Sequence, residues 1–125
     1  MTEHHAIPEF TIRGTTVDDV PRILTFIREL ATYEKLADEV VATEELLREH
    51  LFGPRPAAEV VFGELAGQPV AFALYFRNFS TFLGRPGIYL EDLYVDPALR
   101  GRGIGTAMLE YLAFLAREEG CGRLE

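Results

Sequence analysis

The sequence has little sulfur and little positive charge, and each shortage removes a class of protein. Its one cysteine, Cys121, rules out an internal disulfide; set between Gly120 and Gly122 at an expected helix end, it reads as a packing residue. Lysine and arginine number 12 against 20 acidic residues, a net charge of −8, which argues against a nucleic-acid partner because phosphate-binding surfaces are basic. No apolar run is long enough to span a bilayer, so no membrane partner is expected. The first residues also lack the basic region and apolar core of a signal peptide, which makes the cytoplasm the default expectation. Repeats, low-complexity runs and interdomain linkers are missing too. The expectation is a flexible tail over residues 1–8 followed by one domain over residues 9–125. His4 and His5 lie in that tail without a recognisable third ligand, and no metal site is expected.

What is there fits a globular domain: 48% of residues are hydrophobic and 26% charged. Between Glu29 and Glu49 seven acids face only Lys35 and Arg48. Such a run reads as a solvated helical face, and it also suits a cationic substrate.

Phe10 and Ile12 alternate with polar neighbours and predict a strand that Gly14 ends. Capping oxygens and early acids at Thr15 to Asp19 start a helix near Asp18, with Pro21 tolerated in its first turn and Val20, Ile23, Leu24, Ile27, Leu30 and Ala31 as its buried stripe. That helix runs to about Tyr33. Thr43 caps a second helix, Glu44 to Leu51, closed by Gly53. Glu59 to Leu65 and Pro69 to Phe76 read as strands joined by a short loop, Ala66-Gly67-Gln68. Arg77 to Gly87 reads as a loop whose Phe79 and Phe82 either line a substrate mouth or pack against the sheet.

The most informative stretch runs from Ile88 to Ala116. Ile88 to Val95 is β-branched, aromatic and aliphatic and fits a buried strand, which Asp96-Pro97 breaks. Arg100-Gly101-Arg102-Gly103-Ile104-Gly105-Thr106 then leads into a helical periodicity, Ile104, Ala107, Met108, Tyr111, Leu112, Leu115 and Ala116. Glycines allow close backbone approach, and the unpaired amides at a helix start favour an anion. A pyrophosphate is the natural guest. Gly120 stops the helix, and Arg123-Leu124-Glu125 reads as the start of another strand. The order β-α-α-β-β-β-α-(β) implies an α/β (α+β) domain: a mixed, mostly antiparallel sheet flanked by helices on both faces.

A Walker-type nucleotide loop needs Gly-Lys-Ser/Thr after four spaced residues, and no such run exists. A dinucleotide fold needs Gly-x-Gly-x-x-Gly at the strand end; Gly101, Gly103 and Gly105 are spaced otherwise and follow a hairpin meander, although Glu125 stands about 20 residues on, where a ribose-binding acid would. The pattern Arg100-x-x-Gly103-x-Gly105 after Leu-Tyr-Val-Asp-Pro resembles the acetyl-CoA-binding motif of the GNAT N-acetyltransferases. Arg28-Glu29-Leu30-Ala31-Thr32-Tyr33-Glu34, Thr43-Glu44-Glu45-Leu46-Leu47 and Tyr89-Leu90-Glu91-Asp92 further resemble the spermidine/spermine and thialysine branch.

The resemblance implies acetyl-CoA as co-substrate, the primary amine of a polyamine or lysine analogue as acceptor, and direct attack. It implies that Tyr33, Glu34 and Glu91 contact the amine, that the strand backbone at Leu93, Tyr94 and Val95 holds the pantetheine, and that Arg100, Gly101, Arg102, Gly103, Ile104, Gly105 and Thr106 hold the pyrophosphate. An alkylamine with a pKa near 10.4 is neutral in only about one part in 10³ at pH 7, so deprotonation costs roughly 4–5 kcal/mol. Glu91 is the expected base, directly or through water. Strand alternation puts Glu91 and Asp92 on opposite faces unless a bulge re-aims them. The family continues past this chain's last residue with a splayed strand and a tyrosine acting as general acid, so the family fold is expected to be incomplete at the C-terminal end. Tyr89, Tyr94 and Tyr111 do not match that motif. A non-catalytic CoA-binding or dimerising module, or an inactive fragment of a longer enzyme, is the alternative. A strand edge left open there implies a homodimer, with strand exchange one form of it.

Overall fold

The computed structural model describes the backbone of residues 2–3 and the whole of residues 7–125. Among the described residues six strands make one sheet in the order of the chain: β1 (Thr2–Glu3), β2 (Phe10–Gly14), β3 (Glu59–Leu65), β4 (Gln68–Ser80), β5 (Arg85–Val95) and β6 (Arg123–Leu124). Neighbours are antiparallel except β5 and β6, which are parallel because α3 (Ile104–Glu118) carries the chain back between them. Of the stretch expected to be a tail, Thr2–Glu3 pairs with β2 and Ile7 is buried in the core. His4 and His5 lie outside the described residues. Among the described residues no helix is long and apolar enough to cross a membrane.

Each face of the sheet has its own core. On one side α3 lays Ile104, Ala107, Met108, Leu112 and Ala116 against Phe10, Ile12, Val61, Ala71, Ala73 and Ile88. Cys121 packs at the margin of this cluster, as its glycine-flanked position suggested. On the other side α1 (Val20–Tyr33) and α2 (Glu44–Phe52) cover Val60, Phe62, Phe72 and Tyr94. Phe26 of α1 is stacked on Phe72 at 5.3 Å and set edge-on to Phe62 at 5.5 Å. Because both faces are covered, β3 and β4 are apolar without alternation at Val60-Val61-Phe62 and Val70-Ala71-Phe72-Ala73.

The local signals work as their chemistry requires. The Thr43 side chain accepts the Leu46 amide at 3.2 Å and starts α2. Pro21 falls in the first turn of α1, which follows a 3-10 turn at Val17–Asp19 rather than starting at Asp18. The β3–β4 loop is two residues, not three. Ala66 and Gly67 have φ of 51° and 80°, the conformation a two-residue hairpin demands, and Gln68 already pairs with Leu65.

The segment Arg77 to Gly87 is a correction. The ladder of β4 and β5 continues to Ser80 and Arg85, leaving only 81–84 as a turn. Asn78, Pro86 and Gly87 suggested a loop, but cross-strand pairing overrides weak local propensity. Phe79 and Phe82 are consequently both exposed, at a hollow of the hairpin tip shared with Arg123, and Phe82 is fully so.

Close packing tests the α3-side core. A methyl group added at Gly63 would meet the Phe10 ring at 2.8 Å and the Met108 sulfur at 3.0 Å, and both neighbours are fully buried. Gly63→Ala is expected to cost about 1–3 kcal/mol, seen as a lower urea midpoint with an unchanged slope.

Candidate active site

The glycine-rich turn joins β5 to α3. Gly101 and Gly103 both have φ of 85°, a left-handed conformation that L side chains rarely adopt. A Cβ on Gly101 would meet nothing within 4 Å, so the turn presents bare backbone to an open cleft. The first helical bond of α3 runs from the Ala107 amide to the Gly103 carbonyl at 3.0 Å, which leaves the amides of Ile104, Gly105 and Thr106 without a helical acceptor. These donors sit at the positive end of a 15-residue helix. The cleft is lined by Leu93, Val95, Leu99, Arg100, Gly103 and Thr106, among others. A phosphate-bearing guest fits this wall.

The strand leading to the turn changes character at Glu91. Leu74 pairs with Asp92 and Tyr75 with Leu90, so Glu91 has no residue opposite it and forms a bulge. Before the bulge, the Leu90 amide donates to the Glu125 carbonyl at 2.8 Å and the Glu125 amide to the Ile88 carbonyl at 2.9 Å, so even-numbered residues face β6. After it, the Asp96 amide donates to the Val70 carbonyl at 2.8 Å. Alternation then turns the amides of Asp92 and Tyr94 toward β4 and those of Leu93 and Val95 toward the open side.

Three carboxylates gather beside that edge. Burial, followed by the charges of Glu91 and Glu34, raises the carboxyl pKa of Asp92 above its ordinary value. None of the three accepts a hydrogen bond or ion pair among the described residues. Glu34 is at the C-terminal cap of α1, and Tyr33 is the last residue of that helix. The Tyr33 ring lies under the Arg100 guanidinium at 4.2 Å, and Arg100 Nε approaches the Val95 carbonyl at 3.4 Å.

Tyr33 therefore meets the glycine turn through Arg100, while Glu34 and Glu91 lie near Asp92 on β5. Leu93, Val95, Arg100, Gly101, Gly103, Ile104, Gly105 and Thr106 line the cleft, whereas Arg102 is exposed and absent from its lining. Tyr94 differs from its neighbours. Its backbone turns toward β4, and its side chain is buried on the α1 side, where it lines a second cleft. Sequence reasoning missed Asp92 as a member of the carboxylate group, because simple alternation sends it to the far face. The bulge that brings it in has no signature in one sequence beyond the pair of adjacent acids.

Residues 24–125 match the model of the acetyltransferase (GNAT) family, and the chain belongs to that family. It is an acyltransferase, and acetyltransferases of this family use acetyl-CoA. Among individual proteins, it is 41% identical over 121 residues to a thialysine N-epsilon-acetyltransferase of Bos taurus, an alignment covering 90% of this chain and 71% of that protein. It is 34% identical over 119 residues to spermidine/spermine N(1)-acetyltransferase-like protein 1 of Homo sapiens, covering 90% of this chain and 17% of that one. An aminoglycoside acetyltransferase from an uncultured soil sample, solved with sisomicin, superposes with a TM-score of 0.79 at 19% identity, over 94% of this chain and 76% of that one; it shares the fold.

The raised pKa of Asp92 gives a stability test. The folded state holds this proton more tightly than the unfolded chain, so stability falls as pH rises from the ordinary carboxylate range through the raised folded value. Asp92→Asn is expected to be more stable than the native protein at pH 7, with the difference vanishing in acid, as read from thermal midpoints across pH.

Proposed function

We propose that the chain transfers the acetyl group of acetyl-CoA to a primary amine of a small cationic molecule, a polyamine or a lysine analogue such as thialysine. The observation that carries this reading is the meeting of Glu34, Glu91 and Asp92, all without cationic partners among the described residues, at the bulge of β5. Anions kept unpaired in one groove call for a cation. The curated relatives described above, named for acetyl transfer to thialysine and to spermidine/spermine, support the same acceptor chemistry.

When bound, acetyl-CoA supplies an activated acetyl group as a thioester. The free amides of Ile104, Gly105 and Thr106, together with the backbone of Gly101 and Gly103, hold its phosphates. Arg100 and Arg102 add positive charge. The outward amides of Leu93 and Val95 are the donors for the amide-bearing arm and the polarised carbonyl. Tyr94 contributes packing, not a backbone donor, because its amide faces β4. Glu34 and Asp92 hold the ammonium, Tyr33 supplies an aromatic wall for its chain, and Glu91 passes the proton to water as the amine becomes a nucleophile. Elsewhere the sheet ends in an exposed apolar tip, Phe79, Phe82 and Leu83, next to the short outer strand β6, which supports a homodimer. The non-catalytic alternative gains no support from the relatives.

Free thiol released from acetyl-CoA in the presence of spermidine, thialysine or lysine measures the activity. No release with any amine overturns the reading. Glu91→Gln is expected to lower kcat by about 10²–10⁴-fold if Glu91 moves the proton; a kcat unchanged within twofold would assign that role elsewhere. Gly103→Val is expected to abolish CoA binding in calorimetry while the amine still binds, because a branched side chain cannot hold φ at 85° beside the free amides.

A further inference from the structure

The second cleft lies between the C-terminal half of α1 and the end of β5, on the face of the sheet opposite α3. Thr25, Arg28, Glu29, Tyr33, Tyr94 and Asp96 are among its walls, and its volume of about 510 Å³ is within the roughly 300–1,000 Å³ common to small-molecule sites. Three features make it more than a surface groove. The Arg28 side chain has no ion pair or hydrogen bond among the described residues, whereas Arg13 is paired with Asp19 and Glu64, Arg77 with Glu59 and Glu119, and Arg100 with the Tyr33 ring and the Val95 carbonyl. Tyr94 is 5% exposed, yet its hydroxyl makes no hydrogen bond among the described residues. Tyr94 lines the cleft, so this hydroxyl is a donor that a guest there can use. Third, Glu29 and Asp96 stand close enough for both charges to raise the Tyr94 pKa after burial does, so anions share the cleft with the cation Arg28.

A free cation, an unpaired hydroxyl and two carboxylates in one cleft are the complement of a zwitterion. We infer that this cleft receives the α-amino-acid head group of the acceptor: Arg28 and the Tyr94 hydroxyl take its carboxylate, and Glu29 with Asp96 takes its ammonium. This rests on the acetyl-transfer reading and narrows it, from primary amines in general to diamino acids of lysine length. The spacing agrees. Arg28 on α1 and Glu34 at its C-terminal cap are six positions apart, about 9 Å along the axis at 1.5 Å per residue, a span that a lysine-length side chain and the arginine's own reach cover together. The head group then lies beside Arg28 and the reacting amine beside Glu34, Glu91 and Asp92, with the Tyr33 ring between them. A polyamine offers no carboxylate, and so leaves Arg28 and the Tyr94 hydroxyl unsatisfied.

Calorimetric titration of the full chain with L-thialysine and with its decarboxylated diamine, which lacks only the carboxylate, tests the assignment. Arg28→Gln is expected to weaken thialysine binding about tenfold, the usual loss for one charged hydrogen bond, and to leave the Kd values of the diamine and of CoA unchanged. Tyr94→Phe is expected to weaken thialysine binding less, in the same selective way. Equal losses for both amines in Arg28→Gln would overturn the head-group site, and so would an unchanged thialysine Kd. A weakened CoA affinity would hand the cleft to the acyl donor and overturn it as well. Binding decides this independently of turnover. A protein that binds thialysine selectively but releases no thiol from acetyl-CoA would keep the head-group site and lose the acetyl-transfer reading.

Discussion

Between Leu90 and Asp92 the ladder joining β4 and β5 gains a residue on one side only, and the hydrogen-bonding parity of β5 reverses there. Upstream of Glu91 the outward groups belong to Ile88 and Leu90 and are taken by the backbone around β6. Downstream they belong to Leu93 and Val95 and face the cleft that ends at the glycine turn. One inserted residue thus divides the strand into a structural half and a half with donors to spare. It also turns two adjacent acids, which regular alternation would separate, toward one region of charge.

The electrostatics follow from that geometry. Elsewhere on the sheet, carboxylates near strands are neutralised by forked arginines: Arg13 bonds Asp19 and Glu64, Arg77 bonds Glu59 and Glu119, and the carboxyl pKa values of Asp19 and Glu119 are lowered as a result. Asp92 is shifted the opposite way, by burial and by two like charges. The fold therefore contains the means to pair its acids and leaves this group unpaired. A charge cluster that costs stability and receives no internal compensation is the arrangement expected where an external cation completes the site.

Most of the architecture was legible in the sequence because its signals are short-range: the Thr43 cap, the Pro21 first turn, the hairpin at Ala66-Gly67, and the glycines ahead of the Ile104 to Ala116 periodicity. The errors lie where a tertiary effect outweighed a local one. Asn78, Pro86 and Gly87 read as loop until ladder pairing across Ser80 and Arg85 held them as strand. The glycine turn and the Tyr33-Glu34 end of α1 were each visible as motifs, whereas the membership of Asp92 and the outward direction of Leu93 and Val95 depend on a bulge that composition does not encode. Tyr94 illustrates the limit. Its place between Leu93 and Val95 suggested a like backbone role, but a period of two turns its amide toward β4 and its side chain to the opposite core.

Arg100 ties these pieces together. Its position in the glycine motif suggests phosphate binding alone, yet its guanidinium lies over Tyr33 at the end of α1 and approaches the carbonyl of Val95 at the open strand edge. A cation–π contact at an exposed site contributes about 0.5–1 kcal/mol, too little to fix the helix, which Phe26, Ile23 and Leu24 anchor already. It is enough to orient one exposed ring. The side chain that flanks the glycine turn therefore also sets the ring at the end of α1. The end of the first helix and the glycine turn, 67 positions apart from Tyr33 to Arg100, are joined through this one contact.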